Sequence, residues 1–260
     1  MKYIDCKSIA QEILDEVKAA PTNKKLIIFT AGDNPASASY VKGKIRDCEY
    51  CGVPYEHITV QTPDELATLI ERKKLSASTG GIIIQLPLPE SWDEDYFTNL
   101  VPPALDVDGF VRGSYFKPCT PEGIMYLLKR EVSNNLSGLN ALVIGRGKLV
   151  GKPIVQMLLD ENCTVTIAHS HTRDLWKYLR EADIVISAAG KPNLVNLDFC
   201  WRTSVVVDVG VNRNENGKLC GDCYGFDPAE NDLLQVTPVP GGIGLLTRAM
   251  LMRHMMEACK

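Results

Sequence analysis

Long hydrophobic runs and an excess of basic residues are both missing from this sequence. The longest apolar stretches, residues 81–86 and 204–209, have the length of a β-strand and fall far below the roughly 20 residues that a membrane-spanning helix needs. The 28 Lys and Arg residues are outnumbered by 32 Asp and Glu residues, which gives a net charge of −4. A basic surface that could neutralise nucleic-acid phosphates is therefore absent. We expect no membrane span and no nucleic-acid partner.

The sequence also lacks internal repeats, low-complexity tracts and the apolar core of a signal peptide. Asp5 and Lys7 lie where a signal peptide would need an uninterrupted apolar segment. The composition, with 45% apolar and 23% charged residues, is that of an ordinary globular protein with one large domain or two medium ones. We therefore expect a cytoplasmic protein.

Nine cysteines are present, and they include two Cys-x-x-Cys pairs, Cys48 with Cys51 and Cys220 with Cys223. Two such pairs can form a four-thiolate zinc site, but most of the chain separates these two. A thioredoxin-like redox role is a further alternative. We expect no metal site and interpret the cysteines as small apolar core residues in a reducing cytosol.

Helix and strand patterns alternate through the first half of the chain. Helices are predicted over residues 8–19, 37–51 and 63–73, and strands over residues 25–30, 57–61 and 81–86. This β-α-β-α-β order predicts an α/β fold, in which a parallel sheet is covered by helices on both faces.

A segment rich in Pro, Gly and Asp, residues 102–121, looks like a loop and a domain boundary. After it, helices are predicted over residues 122–131, 151–160 and 173–181, and strands over residues 140–144, 163–169, 183–188 and 204–209. A Met- and Leu-rich helix over residues 244–259 ends the chain. We predict a first domain of residues 1–120, joined by the C-terminal helix at 244–260, and a second domain of residues 121–243.

A glycine-rich turn links the predicted strand 140–144 to the helix that starts at Gly151. It contains Gly145, Arg146 and Gly147. Glycines let the backbone approach a pyrophosphate closely, and the free N–H groups at a helix N-terminus stabilise its charge. A tight turn without a ligand is the alternative, but the strand, turn and helix order favours a dinucleotide site.

The end of the following strand bears on which dinucleotide binds. NAD-specific sites place an acidic residue there, on the ribose hydroxyls. Residues 169–172 read His-Ser-His-Thr, without a carboxylate. Arg146 could pair with a 2′-phosphate at this position, although it could also be a solvated surface arginine. We predict NADP in preference to NAD.

A second set of polar residues lies in the first domain. Tyr40 and Lys44 are four residues apart on one predicted helix, and Gln85 follows a buried apolar strand. Ligands in open α/β sheets bind at the carboxyl ends of strands, so Gln85 is a candidate site residue. The Asp106-Val-Asp108-Gly109 stretch, taken alone, is more typical of an Asx-type turn than of a binding site.

In this order and spacing, the motifs make the chain similar to one known family. The matching stretches are Ser37-Ala-Ser-Tyr40-Val-Lys-Gly-Lys44, Gly81-Ile-Ile-Ile-Gln85-Leu-Pro-Leu-Pro89, Asp106-Val-Asp-Gly109, Pro118-Cys-Thr-Pro-Glu-Gly123, residues 145–153, His169-Ser170, Asp208-Val-Gly-Val-Asn212 and Thr237-Pro-Val-Pro-Gly-Gly242. The chain resembles, over nearly its whole length, the methylenetetrahydrofolate dehydrogenase/methenyltetrahydrofolate cyclohydrolase family.

The resemblance implies an N-terminal α/β catalytic domain, a Rossmann dinucleotide-binding domain and a folate site in the cleft between them. It also implies a homodimer formed through the Rossmann domains. The implied activities are oxidation of 5,10-methylenetetrahydrofolate with NADP and hydrolysis of the methenyl product to 10-formyltetrahydrofolate. A single-activity or NAD-dependent enzyme remains the alternative within the family, and a sensor without turnover remains one outside it.

The resemblance also implies roles for individual residues. Lys44 is the expected general acid/base of the hydrolysis, with Gln85 hydrogen-bonding it and helping to hold it neutral; a lysine acts near neutrality only where its site disfavours the ammonium. Tyr40 is expected to stack on the folate, and Asp108 to pair with the aminopyrimidine edge of the pterin. Further substrate contacts are expected at Leu86, Pro240, Gly241 and Gly242. Cofactor contacts are expected at Gly145, Arg146, Gly147, Ser170, Val211 and Thr247.

The chain departs from the family pattern at a few positions. Gly147 stands where the family usually has Ser, Leu105 where it usually has Lys, and Gly244-Leu-Leu-Thr247 where it usually has Gly-Pro-Met-Thr. The missing hydroxyl at Gly147 weakens the case for NADP slightly, and the changed stretch before Thr247 implies altered folate contacts. Since the four expected catalytic residues are all present, we expect both activities.

Overall fold

The computed structural model describes residues 2–32, 35–200, 203, 205–225 and 234–259. The chain divides into two compact units, one formed by Gln11–Cys119 with Arg248–Lys260 and the other by Met1–Ala10 with Thr120–Thr247. We call them the three-stranded unit and the six-stranded unit after their main sheets. No helix in the described part of the chain is long and apolar enough to cross a membrane.

The sheet of the three-stranded unit is parallel. Strand β2 (Lys25–Ala31) lies at its centre, between β3 (Tyr55–Val60) and β4 (Thr79–Ile84). The central residues of β2 and all of β4 are buried, as expected for a parallel sheet covered on both faces. The carboxyl end of β4 leads directly to Gln85 and Leu86.

Four helices begin in this part of the chain: α1 (Cys6–Lys18), α2 (Pro35–Cys51), α3 (Pro63–Lys74) and α4 (Glu94–Asn99). Helix α3 begins where its sequence dictates, because the Thr62 side chain accepts a hydrogen bond from the Glu65 N–H and Pro63 occupies the first turn. Helix α4 is capped in the same way by Asp93, which accepts from the Tyr96 N–H at 3.0 Å.

The sheet of the six-stranded unit is also parallel throughout. Its strands are β1 (Lys2–Tyr3), β5 (Asn140–Ile144), β6 (Thr164–Ala168), β7 (Ile184–Ser187), β9 (Val205–Asp208) and β13 (Gln235–Val236), in the order β1-β13-β9-β7-β5-β6. Because β6 and β7 lie on opposite sides of β5, the strand order reverses at β5. Open α/β sheets bind ligands at the carboxyl ends of the strands at such a point.

The other elements of this unit are short or flank the sheet. Helices α5 (Cys119–Glu131), α6 (Gly151–Asp160) and α7 (Leu175–Glu181) are joined by the first residues of α8 (Ile243–Ala258). Two small ladders pair β10 (Asn212–Arg213) with β11 (Leu219–Cys220), and β8 (Val195–Asn196) with β12 (Cys223–Tyr224). Buried aliphatic residues from β5, β7 and β9 form the core of the unit.

The predicted α/β fold class is confirmed, and the predicted strands and helices are present with ends shifted by a few residues. Strand β4 ends at Ile84, two residues earlier than expected, and Ser204 of the predicted strand 204–209 lies outside the described residues. The two units differ from the predicted domains at three places. Thr120 and residues 244–247, predicted in the first domain, group with the six-stranded unit. Residues 1–10 group with the six-stranded unit, because β1 pairs in parallel with β13.

Candidate functional site

One face of helix α2 carries a polar set that is largely withdrawn from solvent. Tyr40, Lys44 and Asp47 recur at helical spacing, so they lie on the same side of α2. Lys44 and Asp47 are buried and Tyr40 is half-buried. A buried lysine is uncommon unless it is paired, which makes its partner informative.

The partner of Lys44 is Asp108. The Lys44 Nζ lies 3.5 Å from Asp108 Oδ2, and both side chains are buried. Removing two charges from water is costly unless they remain close to each other and to other polar groups. A charged pair at this position is therefore a specific feature of the site and not a surface ion pair.

A tight turn holds Asp108 in place. The Asp106 carboxylate accepts hydrogen bonds from the N–H groups of Gly109, at 3.1 Å, and Val111, at 2.7 Å. Burial raises the pKa of Asp106, and the neighbouring Asp108 carboxylate adds to this. The Asx-type turn expected from the sequence is thus made by Asp106, whereas Asp108 faces Lys44.

A buried histidine supports the same turn from helix α8. His254 Nδ1 lies 2.8 Å from the Val107 carbonyl oxygen, to which it donates a hydrogen bond. The Phe116 ring stacks on the His254 ring with centroids 4.8 Å apart. His254 therefore fixes the backbone immediately before Asp108.

Gln85 does not form the expected hydrogen bond with Lys44. Its Nε2 donates to the Leu86 carbonyl oxygen at 2.8 Å, and its buried Oε1 has no hydrogen-bond partner among the described residues. Lys44 turns instead toward Asp108, because a carboxylate attracts an ammonium more strongly than a neutral amide does. A buried acceptor without a partner is costly, so Gln85 Oε1 marks a position that a ligand donor can fill.

The glycine-rich turn after β5 is built for close backbone approach. Gly145 has φ +108°, and a Cβ there would lie 2.3 Å from the Ala188 carbonyl oxygen. A Cβ at Gly151 would lie 2.3 Å from the Gly145 carbonyl oxygen. Both positions therefore require glycine. Gly147 is exposed, and no described atom lies within 4 Å of where its Cβ would be.

The N-terminus of α6 follows this turn. Val150, at the N-cap position, makes no side-chain capping bond within the described chain, so first-turn N–H groups are left for solvent or a ligand. Arg146 is exposed beside it. An uncapped helix N-terminus after a glycine turn is a general anion-binding arrangement.

The segment after β6 forms a closed turn. The His169 N–H donates to Thr172 Oγ1, and the Thr172 N–H donates back to the His169 carbonyl oxygen, both at 2.8 Å. Ser170 is exposed at the tip of this turn. Since residues 169–173 contain no acid, the turn presents hydroxyl and imidazole groups without a negative charge.

A buried carboxylate that the sequence interpretation missed organises the strand ends of the six-stranded unit. Asp222 is fully buried and accepts five hydrogen bonds, from Ser187 Oγ, from Asn212 Nδ2 and from the N–H groups of Ala189, Gly190 and Lys191. Ser187 ends β7 and the three N–H groups follow it, whereas Asn212 begins β10, shortly after β9. Asp222 thus fixes the two segments at the carboxyl ends of neighbouring strands.

Asp208 supports Asp222 in turn. It accepts from the N–H groups of Gly210, Asp222 and Cys223 at 2.9–3.0 Å. Val211, between this network and β10, is 55% exposed. An apolar side chain held in the open at a strand end is available to contact a ligand.

Two further groups of expected site residues lie in the six-stranded unit. The Thr247 hydroxyl is 2.9 Å from the Thr120 hydroxyl and also donates to the Ile243 carbonyl oxygen. Pro240 and Gly241 are exposed, whereas Gly242 is buried against the Pro238 carbonyl oxygen. Pro240, Gly241 and Gly242 therefore belong to the same unit as the glycine turn, whereas Lys44 belongs to the three-stranded unit.

Comparison with known proteins matches each half of the chain to a domain of one family. Residues 4–108 match the catalytic-domain model of the tetrahydrofolate dehydrogenase/cyclohydrolase proteins, and residues 118–260 match their NAD(P)-binding domain. The bifunctional protein FolD of Agathobacter rectalis is 42% identical over 276 residues, which cover 99% of this chain and 98% of that relative.

The chain belongs to the tetrahydrofolate dehydrogenase/cyclohydrolase family. The resemblance inferred from the sequence motifs is thereby confirmed.

Solved structures of related proteins have the same fold. The bifunctional FolD methylenetetrahydrofolate dehydrogenase/cyclohydrolase of Campylobacter jejuni is 37% identical with a TM-score of 0.91, covering 98% of this chain and 97% of that one. The Trypanosoma brucei methylenetetrahydrofolate dehydrogenase-cyclohydrolase, solved with NADP and an inhibitor, is 28% identical with a TM-score of 0.90, covering 98% and 96%.

In this member of the dehydrogenase/cyclohydrolase family the cysteines are free thiols. Cys48 and Cys51 are buried in α2, and burial raises their pKa values to about 12 and about 11. Burial, with the Asp208 charge, raises the pKa of Cys223 well above its usual range. The described residues contain no group of three or more His, Cys, Asp or Glu placed to hold a metal ion.

Proposed function

We propose that this protein oxidises 5,10-methylenetetrahydrofolate to the 5,10-methenyl form with NADP, and hydrolyses that product to 10-formyltetrahydrofolate. Membership of the dehydrogenase/cyclohydrolase family supports both steps. The observation that carries the proposal in this chain is the buried Lys44–Asp108 pair. Hydrolysis of a pterin derivative needs a base and a group that recognises the pterin. Lys44 and Asp108 offer an amine and a carboxylate in one buried site.

The residues of the glycine turn fit a dinucleotide. Gly145 and Gly151 allow close backbone approach, the α6 N-terminus has no side-chain cap within the described chain, and Gly147 leaves open space. We assign NADP and not NAD because no acid follows β6, where an NAD site would place one. The related Trypanosoma brucei enzyme was solved with NADP, which supports this choice.

The oxidation needs no acid or base from the protein. NADP, when bound, would supply the hydride acceptor, and the chain would supply orientation and the exclusion of water. Arg146 and Ser170 would hold the 2′-phosphate, and the Gly145–Gly151 turn would hold the pyrophosphate. Val211 and Thr247 would provide further contacts to the cofactor. Asp222 keeps the strand-end segments in position.

The hydrolysis assigns a proton transfer to Lys44. Water adds to the methenyl carbon while the neutral Lys44 amine takes a proton at Nζ. The bond from this carbon to N5 then breaks as the added hydroxyl loses its proton to water. N5 takes up the proton held at Lys44 Nζ, and the carbon remains on N10 as a formyl group. Substrate entry releases the Lys44 ammonium from Asp108, since the pterin then provides partners for that carboxylate. Lys44 gives up its proton to water before it acts as the base.

The remaining side chains near Lys44 bind and orient the folate. Asp108 accepts two hydrogen bonds from the aminopyrimidine edge, a geometry that suits a carboxylate. Gln85 Oε1 accepts from the substrate or from Lys44 once the ion pair opens, and Tyr40 stacks on the folate. Leu86, which follows Gln85, completes the proposed substrate contacts within the three-stranded unit.

Initial rates test this proposal. The purified protein is given 5,10-methylenetetrahydrofolate with NADP or with NAD, and reduced cofactor is followed by absorbance; in parallel, 5,10-methenyltetrahydrofolate is given alone and its loss is followed. We expect turnover in both assays and a clear preference for NADP. Failure to reduce either dinucleotide and to consume the methenyl compound would overturn the proposal.

We also propose that the protein is a homodimer formed through its six-stranded unit. Strand β6 is an edge strand, and four apolar side chains beside it or nearby are 39–48% exposed: Leu159, Ile167, Trp176 and Tyr178. An exposed edge strand with apolar neighbours favours pairing. Light scattering after gel filtration should give twice the chain mass for the wild type and a monomer for Ile167→Glu. A monomeric wild type would contradict this assignment.

A further inference from the structure

A second cation lies against the helix that carries Lys44. Arg248, on helix α8, has a side chain that is only 14% exposed, and its Nε donates to Asp47 Oδ2 at 2.7 Å. Asp47 is one turn beyond Lys44 on helix α2. A buried guanidinium therefore stands beside the α2 face that presents Lys44, in the same unit.

Gly43 makes room for this guanidinium. A Cβ at Gly43 would lie 2.2 Å from Arg248 Nη1 and 2.9 Å from Cζ. Any larger residue at position 43 would therefore push the arginine away. The lack of a side chain at Gly43 and the carboxylate of Asp47 together hold Arg248 over the residue that precedes Lys44.

The Asp47 contact uses only one of the donors of Arg248. A guanidinium carries five N–H donors in a planar fork, and within the described part of the chain Nη1 and Nη2 donate to no protein acceptor. The edge formed by these two groups matches the two oxygens of a carboxylate. This edge is therefore left for solvent or for a ligand.

We propose that Arg248 binds a carboxylate of the glutamyl tail of the folate substrate. The inference rests on the proposed function, which places the folate along the α2 face with its reactive carbon at Lys44 and its rings on Tyr40. The tail carries the only carboxylates of a folate, so it is the part of the substrate that a guanidinium recognises. Arg248 then contributes to substrate binding without taking part in the chemical steps.

Substrate truncation tests the assignment. Hydrolysis by the wild type and by Arg248→Gln is measured with 5,10-methenyltetrahydrofolate and with the 5,10-methenyl derivative of tetrahydropteroyl methylamide, a truncated substrate in which an uncharged methylamide replaces the glutamate. We expect Arg248→Gln to raise KM for the glutamyl substrate about tenfold, because removing one charge-assisted hydrogen bond typically weakens binding by about this factor. It should leave kcat and the KM for the truncated substrate within about twofold, since neither depends on the lost contact.

Arg253→Gln is the matched control. Arg253 lies on the same helix and forms an ion pair of the same length, 2.7 Å, with Glu16, so this variant should change neither KM. If Arg248→Gln raises KM equally for both substrates, Arg248 is only a link between helices and the proposal is wrong. If the wild type hydrolyses neither substrate, the proposed function itself has failed.

A folding defect is dealt with by a second variant. Arg248→Gln leaves Asp47 buried without its cation, which is destabilising; the double variant Asp47→Asn/Arg248→Gln removes that charge. Thermal unfolding shows which of the two variants is folded. KM for the two substrates is then compared in the folded variant. The same selective rise in KM is expected, and its absence overturns the proposal.

Discussion

Lys44 and Asp108 form a buried ion pair, with the lysine Nζ 3.5 Å from the carboxylate Oδ2. The two residues lie on helix α2 and on the turn held by Asp106. Their opposite charges compensate each other until a ligand offers Asp108 new donors. In the proposed mechanism, binding of the pterin to Asp108 releases Lys44, and the proposed role of Asp108 is the basis of the first prediction.

Asp108→Asn should weaken folate binding in both reactions. An amide replaces one acceptor oxygen with a donor group, so the two-point contact with the aminopyrimidine is lost. We expect KM for the methylene and methenyl substrates to rise about tenfold or more, with NADP affinity unchanged. Steady-state rates for the two substrates check this. An unchanged KM for both would show that Asp108 does not contact the pterin.

Gly151→Ala should damage the dinucleotide site. The added Cβ would lie 2.3 Å from the Gly145 carbonyl oxygen, so the turn must move, at a cost of about 1–3 kcal/mol. We expect weaker NADP binding in a fluorescence titration and a lower free energy of unfolding. Gly147→Ala adds a Cβ into open space, so its unfolding should match the wild type. Equal stability of the Gly151 variant would contradict the geometry.

Asp222→Asn should raise the Kd for NADP about tenfold or more. All five partners of Asp222 are donors, and an amide NH₂ placed among them can satisfy only the groups that face its oxygen. Asp160→Asn, an exposed position on α6 of the same unit, is the control. Calorimetric titration with NADP compares the three proteins. An unchanged Kd in Asp222→Asn would remove it from the cofactor site.

The stability of the fold should depend on pH through Asp106. Burial raises the pKa of Asp106 above its ordinary value of 3.8. Between the ordinary pKa and the raised pKa of the folded state, the folded protein binds more protons than the unfolded protein. The contribution of Asp106 to the free energy of unfolding therefore falls as pH rises through this range. Below the ordinary value the contribution is fully present.

Urea unfolding of the wild type and of Asp106→Asn, measured from about pH 3.5 upward, isolates this effect. The stability of the wild type relative to the variant should fall as pH rises from about 4. The lost acceptor gives the variant a constant offset that does not alter this trend. A difference that stays constant or grows with pH would show that the Asp106 pKa is not raised.

Much of the fold follows from local patterns. Three elements are decided by residues that are neighbours in the chain, and all three are where the sequence predicts them: the apolar strand β2, helix α2 and the glycine turn before α6. Helix α4 was missed, although the Asp93 side chain that caps it is a local signal. A helix of six residues with few apolar side chains gives only a weak hydrophobic periodicity.

Other features depend on residues that are distant in the chain. Strand β1 is two residues long and exists only because β13 pairs with it. The Asp222 network joins three segments, and the Arg248–Asp47 pair joins α8 to α2. No local rule identifies such partners. Gln85 is a further example. Its position after β4 was predictable from the sequence, but its expected hydrogen bond to Lys44 is not formed, because tertiary packing brings Lys44 to Asp108.

The hydrolysis of the methenyl compound by Lys44→Met tests the central claim most directly. Methionine keeps the length of the side chain but cannot accept a proton, so loss of the base should remove hydrolysis without removing oxidation. Both rates are measured on one preparation, with methenyl loss in one assay and NADPH formation in the other. We predict a fall of at least about a hundredfold in hydrolysis with NADPH formation still measurable. Hydrolysis at the wild-type rate would contradict the assignment of Lys44 as the general base.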